Sequence, residues 1–198
     1  MRRPDDSDRS ATGRLKKKVG VLALQGDFDR HRQRLEELGA KVRLVRTPAD
    51  LDEIDALVIP GGESTTMLTL LKGEGFEKLR QFVCDKPTFG TCAGAILLAN
   101  AVEDPPQPVL GALDIFVRRN AYGRHIDSSI RQGTLGESPI EMVFIRAPHI
   151  EHVGVDVEVL AREGGDPVLV RHGRVMAATF HPELSDDTRV HQMFLQMV

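Results

Sequence analysis

The chain has 198 residues, 41% of them hydrophobic and 28% charged, which suits one soluble globular domain with a core that needs no staples. Its formal charge of −3 divides into +4 over residues 1–18 and −7 over the rest, and an acidic body argues against a nucleic-acid partner. No apolar run has the length of a membrane span, and two cysteines give no disulfide framework, as expected for a reducing, cytoplasmic compartment.

The start, Met1 to Ser10, is polar and lacks the apolar stretch of a secretory signal, so residues 1–17 are expected to be a disordered tail and 18–198 one domain. Val19–Leu24 is a short apolar run of the kind that forms a buried parallel strand. A polar helical pattern over Phe28–Leu38 stops at Gly39. Strands are expected at Val42–Val45 and Ala56–Ile59, the latter broken by Pro60-Gly61-Gly62-Glu63-Ser64 before a helix begins near Thr65. Phe76–Cys84 is helical, with Cys84 counted as a core thiol on its apolar stripe. Pro87–Phe89 is a strand, and Ala93–Ala99 a helix. This alternation predicts a three-layer, doubly wound, mostly parallel α/β sheet, flavodoxin-like in plan.

The second half changes character. Val109–Arg119, Ile140–Arg146, His152–Leu160 and Pro167–Phe180 read as strands with few helices between them, an antiparallel extension of the sheet. Gly173 supplies the turn of a hairpin between Val168–Arg171 and Arg174–Ala178. Asp186–Val198 closes the chain as a helix.

Two motifs carry chemistry. Gly90-Thr91-Cys92-Ala93-Gly94 follows an apolar strand and has the small residues that a sharp strand-to-helix elbow demands. A sulfur there stands over a helix N-terminus, which favours the thiolate. Phe180-His181-Pro182-Glu183 adds a base and an acid that can orient it, the remaining parts of a nucleophilic acyl-transfer site. Pro182 is expected to keep that segment extended, so that His181 and Glu183 project to one side. In open α/β sheets ligands gather beyond the carboxyl ends of the strands, where Gly61-Gly62, Cys92 and His181 all fall. Gly62 N–H and Ala93 N–H are candidate oxyanion donors. Gly61-Gly62 also reads as a phosphate-binding or plain tight turn, although no Gly-Lys-Ser/Thr sequence accompanies it. His125, His149, His152 and His191 have no metal-site spacing, and no metal or cofactor is expected.

Pro60–Thr65, Gly90–Gly94, Asn120-Ala121-Tyr122-Gly123-Arg124, Phe144-Ile145-Arg146-Ala147-Pro148 and Phe180–Leu184 together resemble the PdxT-type glutaminase family. These are class I (triad) glutamine amidotransferases, and the likeness runs from about Val19 to Val198. Tyr122 and His125 stand where phenylalanine and glutamine are common in the family. The resemblance implies a single glutaminase domain over 18–198 that hydrolyses L-glutamine to glutamate and ammonia. It implies Cys92 as nucleophile, with His181 and Glu183 completing the triad. It also implies that Gly62, Glu63, Ser64, Arg119, Ile145 and Arg146 contact glutamine. The implied partner is a ring-shaped, PdxS-type synthase that uses the ammonia to build pyridoxal 5′-phosphate. From the residues alone, Glu63 equally reads as a helix cap, and Arg119 and Arg146 as ion-pair partners. Gln25-Gly26-Asp27, ending the first strand, is a candidate for the partner contact. Another triad glutaminase subunit, or a non-catalytic binding subunit of the same fold, are the competing readings.

Overall fold

The computed structural model describes residues 17–119 and 128–198; the Asn120–Arg124 motif, Tyr122, His125 and all but the last residue of the expected tail lie outside them. β1 (Lys18–Leu22) leads into α1 (Phe28–Glu37), then β2 (Lys41–Val45), β3 (Ala56–Ile59), α2 (Ser64–Leu70), α3 (Glu74–Asp85), β4 (Thr88–Thr91) and α4 (Ala93–Leu98). There follow β5 (Ala99–Glu103), β6 (Leu113–Arg118), β7 (Ser128–Leu135), β8 (Ser138–Ile145), β9 (His149–Val153) and β10 (Glu158–Glu163). β11 (Asp166–His172), β12 (Val175–Ala178) and α5 (Arg189–Gln196) end the chain.

Nine strands form one sheet in the order β2-β1-β3-β4-β12-β11-β10-β7-β8. From β2 to β12 the neighbours are parallel. From β12 to β8 they are antiparallel. The expected α/β sheet with an antiparallel extension is therefore what forms. β12 is the hinge of the plan: it lies parallel to β4, pairing Ala178 with Thr91, and so brings the end of the chain beside the Cys92 elbow.

Strand alternation divides the core between two faces. Leu57, Ile59, Val175 and Ala177 point one way, onto Met67, Leu79, Phe82, Ala95 and Leu98 of α2, α3 and α4. Ala56, Val58, Met176 and Ala178 point the other way, onto Leu35 of α1 and Val190 and Phe194 of α5. Phe89 of β4 is fully buried on this second face and stacks against Phe194 at 5.7 Å.

Several expected elements differ. α4 stops at Leu98, because Ala99 turns to φ −58, ψ 159 and starts β5. β5, β6 and β9 make a separate three-stranded sheet that the apolar pattern did not announce. The run His152–Leu160 is two strands in two sheets, broken at Gly154 and the fully exposed Val155. β7 was missed because its residues alternate between exposed and half-buried, leaving no apolar face to read. Cys84 is exposed, not core. The buried stripe of α3 is Gly75, Leu79, Phe82 and Val83, and the next residue rotates away, to the side of Glu77, Arg80 and Gln81.

Candidate active site

The carboxyl ends of β1, β3, β4 and β12 converge on a cleft of about 270 Å³, lined in part by Gly62, Glu63, Ser64, Cys92, Arg119, Ile145, Arg146 and His181. Eight of the ten residues expected at the site thus share one cavity. Of the other two, Glu183 lies buried directly behind His181 and Ala93 is the buried first residue of α4.

Cys92 caps α4 at φ 48, ψ −104, a conformation that costs an L-residue energy and is held by its surroundings. Two neighbours fix it. Its N–H extends the β4–β12 ladder to Ala178 O at 2.8 Å, and Gly94 lets the helix press against β3. A Cβ at Gly94 would stand 2.0 Å from Ile59 O, so only glycine allows the elbow to close. The thiol is 6% exposed and meets Ile145 O at 3.8 Å. Ala93 opens the helix, where N–H groups have no intrahelical acceptor and the dipole is positive.

His181 is reached by a different route from the one expected. Pro182–Leu184 is a 3₁₀ turn rather than an extended segment, and Pro182 occupies its first position, where a missing N–H costs nothing. The turn folds Glu183 back so that Oε1 lies 2.7 Å from His181 Nδ1. Nδ1–H donates to the carboxylate, leaving Nε2 free to work on the thiol side; that nitrogen is buried with no hydrogen-bond partner among the described residues. Burial disfavours the imidazolium, but Cys92 and Glu183 outweigh it and push the His181 pKa up to about 10. Burial likewise raises Glu183, and the neighbouring His31 and His181 more than reverse this, holding it down at about 2. An imidazolium backed by a carboxylate and facing the thiol is the state this arrangement favours.

The Gly61-Gly62 turn crosses the front of the pair. A Cβ on Gly61 would sit 2.5 Å from His181 Cε1, so the loop backbone packs directly on the imidazole. Gln25 holds the next residue from the side: its Oε1 accepts from Glu63 N–H at 3.0 Å and its Nε2 donates to Glu63 O at 2.9 Å. The Glu63 side chain caps α2, accepting from the N–H groups and hydroxyls of Thr65 and Thr66 at 2.5 to 3.1 Å. Arg119 Nη2 lies 3.4 Å from the same carboxylate, while its Nη1 is buried and unpartnered among the described residues. Ser64 is buried and donates to Gln107 Oε1 at 2.7 Å. Arg146 is exposed and bends at φ 43, turning the chain so that Ile145 O faces the thiol.

Two groups escaped the sequence reading. Gln107 is one; nothing in its Pro-rich surroundings marks it. His31 is the other, fully buried on α1 with its Nε2 3.2 Å from Glu183 Oε2. Its signal was available, since His31 and Leu35 sit one helical turn apart on the buried face. Asp27, His181 and Glu183 bring one possible metal ligand each within 4.8 Å. His181 Nδ1 and Glu183 Oε1 are committed to each other, however, and the neighbouring thiol makes acyl transfer the chemistry of the group.

Known proteins fall into line with this geometry. The model of the SNO glutamine amidotransferase family matches residues 21–198. Pyridoxal 5′-phosphate synthase subunit PdxT of Koribacter versatilis is 65% identical over 183 residues, covering 91% of this chain and 95% of that protein. Its namesake in Thermosipho africanus is 51% identical over 185 residues, 91% of this chain and 98% of that one. A crystal structure of a glutamine amidotransferase superposes with a TM-score of 0.84 at 47% identity, over 90% of this chain and 97% of that one. The chain belongs to the SNO glutamine amidotransferase family.

Proposed function

We propose that this protein is the glutaminase subunit of a pyridoxal 5′-phosphate synthase, and that Cys92, His181 and Glu183 are its catalytic residues. It hydrolyses L-glutamine to L-glutamate and ammonia, and the ammonia serves vitamin B6 synthesis. The observation that carries the assignment of roles is the buried Glu183–His181 pair, aimed from behind at a strained cysteine on the wall of an open cleft.

The chemistry follows from those positions. Cys92 thiolate attacks the side-chain carboxamide carbon of glutamine, and the C=O electrons move onto oxygen. Gly62 N–H and Ala93 N–H receive that oxyanion. His181 Nε2–H gives its proton to the nitrogen as the C–N bond breaks, releasing ammonia and leaving a γ-glutamyl thioester. Neutral His181 then takes a proton from water, whose oxygen attacks the thioester, and glutamate leaves as the thiolate returns. Glu183 keeps Nδ1 protonated throughout, so that Nε2 is the nitrogen that cycles. At the other end of the substrate, the unpartnered Nη1 of Arg119 suits the α-carboxylate. Ser64, Glu63, Arg146 and the Ile145 backbone complete the wall.

The PdxT relatives support a PdxS-type synthase as the partner, and we extend this to a ring-shaped assembly that takes up the ammonia. Residues 18–198 act as one glutaminase domain, a reading supported by the continuous sheet joining β1 to the last strand. The free thiols of Cys84 and Cys92 support a cytoplasmic location, and no helix among the described residues is long and apolar enough to cross a membrane.

Glutamate release by wild-type and Cys92→Ala protein, each with and without a PdxS-type synthase, tests the proposal. Partner-stimulated turnover that disappears in Cys92→Ala is expected. Turnover indifferent to the synthase would reassign the partner. No turnover in any condition, with the synthase active on free ammonia, would overturn the catalytic role.

A further inference from the structure

Behind the triad lies a buried polar line that the chemistry above does not use. His31 on α1 and His191 on α5 are both completely buried, one behind the other, on the face of the sheet away from the cleft helices. His31 Nε2 is 3.1 Å from Thr91 Oγ1 and 3.2 Å from Glu183 Oε2, the carboxylate oxygen that His181 does not hold. His31 Nδ1 is 3.1 Å from His191 Nε2. Phe89 presents its ring at right angles to both imidazoles, at 6.3 and 6.1 Å, closing off water.

Satisfying the buried atoms chooses the protons. If His31 carried its proton on Nδ1, its Nε2 lone pair would face the carboxylate, and a second N–H on His191 would be stranded in the core. With the proton on Nε2, His31 donates towards Thr91 and Glu183 while Nδ1 accepts from His191 Nε2–H. His191 Nδ1, which has no hydrogen-bond partner among the described residues, is then a bare lone pair, the cheaper group to leave unpaired. Both rings sit where burial pushes the pKa down, His191 to about 3, so each holds one proton and the pattern is fixed. The His31 N–H lines up with Thr91 Oγ1 and only grazes Glu183 Oε2, so its pull on the carboxylate is electrostatic as much as a hydrogen bond.

We propose that His31 is a positioning residue for the glutaminase reaction: backed by His191, it holds the Glu183 carboxylate from behind so that Oε1 meets His181 Nδ1. The proposal rests on the triad reading above and deepens it. Without His31, the buried Oε2 faces no N–H. The carboxylate can then rotate or take up a proton, and either change weakens its grip on His181. The charged and titratable groups that reach His31 are Glu183 and His181 from the chain end and Asp27 from the start of α1, while Arg34 and Glu183 reach His191.

The test measures glutaminase turnover with the synthase partner across pH for wild type, His31→Leu, His31→Gln and His191→Phe. In parallel, the rate of Cys92 alkylation by iodoacetamide is followed in a Cys84→Ser background. His31→Leu should lose about tenfold to a hundredfold in kcat, the scale of a lost hydrogen bond to a charged group, with KM little changed. Its basic limb should move to lower pH in both turnover and alkylation. His31→Gln, whose amide can donate to the same oxygens, should recover most of the rate. His191→Phe keeps the packing and should show a smaller shift in the same direction. An unmoved pH limb in a folded His31→Leu protein overturns the proposal, as does a His31→Gln protein as slow as His31→Leu. If His31→Leu does not fold, His191→Phe decides: a limb moved to lower pH supports the proposal and an unmoved one overturns it. Wild-type protein inert with its partner would instead defeat the glutaminase reading, and the alkylation profiles would still judge His31.

Discussion

Two carboxylates face the cleft region from opposite walls, and both are held at a pKa of about 2. Glu63, on the open wall, is exposed, and its acidity comes first from the Thr65 hydroxyl and then, against the opposing effect of burial, from Thr66. Glu183, on the closed wall, is buried, and its charge survives only because His31 and His181 outweigh the loss of water. Glu63 spends its lone pairs on the backbone and hydroxyls of its own helix start, which leaves it little capacity for a substrate amine. Glu183 spends one oxygen on His181, whose charge changes during the reaction. Equal acidity therefore marks a scaffold on one wall and a working group on the other, and only the partners tell them apart.

Removing the charge of Glu183 breaks the comparison most sharply. Glu183→Gln should cost roughly 10³- to 10⁴-fold in kcat, because the amide can present its N–H to Nδ1 and select the wrong tautomer. The sign of the pH effect is fixed by His181, whose folded value is raised from 6.5 to about 10. Its imidazolium, and the stability the pairing contributes, is fully present below 6.5 and lost as pH rises through about 10. Glu183→Gln removes one source of that rise, so the basic limb of kcat/KM should fall to lower pH. A profile that keeps its wild-type limb would mean that Cys92 alone sustains the imidazolium.

The front of the pair is more easily disturbed through the backbone. Gly61→Ala places a methyl group 2.5 Å from His181 Cε1, so the imidazole or the loop must move. A displacement of about 1 Å costs on the order of a hundredfold in rate. Glutamate production should fall by that factor while the Glu183–His181 contact persists. A wild-type rate would show that the loop yields without carrying the oxyanion donor with it. Gln25→Ala removes both amide bonds to Glu63, each worth about 1 kcal/mol, and should lower turnover about tenfold through a looser Gly62 N–H. A loss seen only in the presence of the synthase would move Gln25 from the loop to the partner contact.

How far the chain could be read in advance follows the same division. The parallel half was legible because buried strands such as Ala56–Ile59 are continuous apolar runs, and the elbow because glycines flank Cys92. β7 was not, since neither of its faces is dry. The segment at His181 was read as extended from Pro182, yet a proline at the first position of a 3₁₀ turn meets the same φ restriction, and local preference cannot choose between the two. Glu63 stayed ambiguous because a glutamate two residues before a threonine can cap or bind, and only coordinates count its donors. His31 and His191 are 160 residues apart in sequence and meet only through the sheet, so no local pattern could pair them with Glu183.

The smallest effect is expected at Glu63, and it separates scaffold from substrate contact. Losing an N-cap costs about 1 kcal/mol, so Glu63→Ala should lower Tm by roughly 2–4 °C for a chain of this size. Because the folded pKa of Glu63 is depressed from 4.5 to about 2, its contribution is present above pH 4.5 and lost as pH falls towards 2. The Tm difference between wild type and Glu63→Ala should therefore narrow with acid, and Glu63→Gln, which retains an acceptor for the Thr65 and Thr66 N–H groups, should lie between them. If the helix cap is its whole role, KM for glutamine rises only as far as α2 loosens, and the ranking of the two variants in KM follows their ranking in Tm. A Glu63→Gln protein as stable as wild type but with KM raised tenfold or more would break that order. The charge itself would then be needed by the substrate, and the two walls would differ less than their hydrogen bonds suggest.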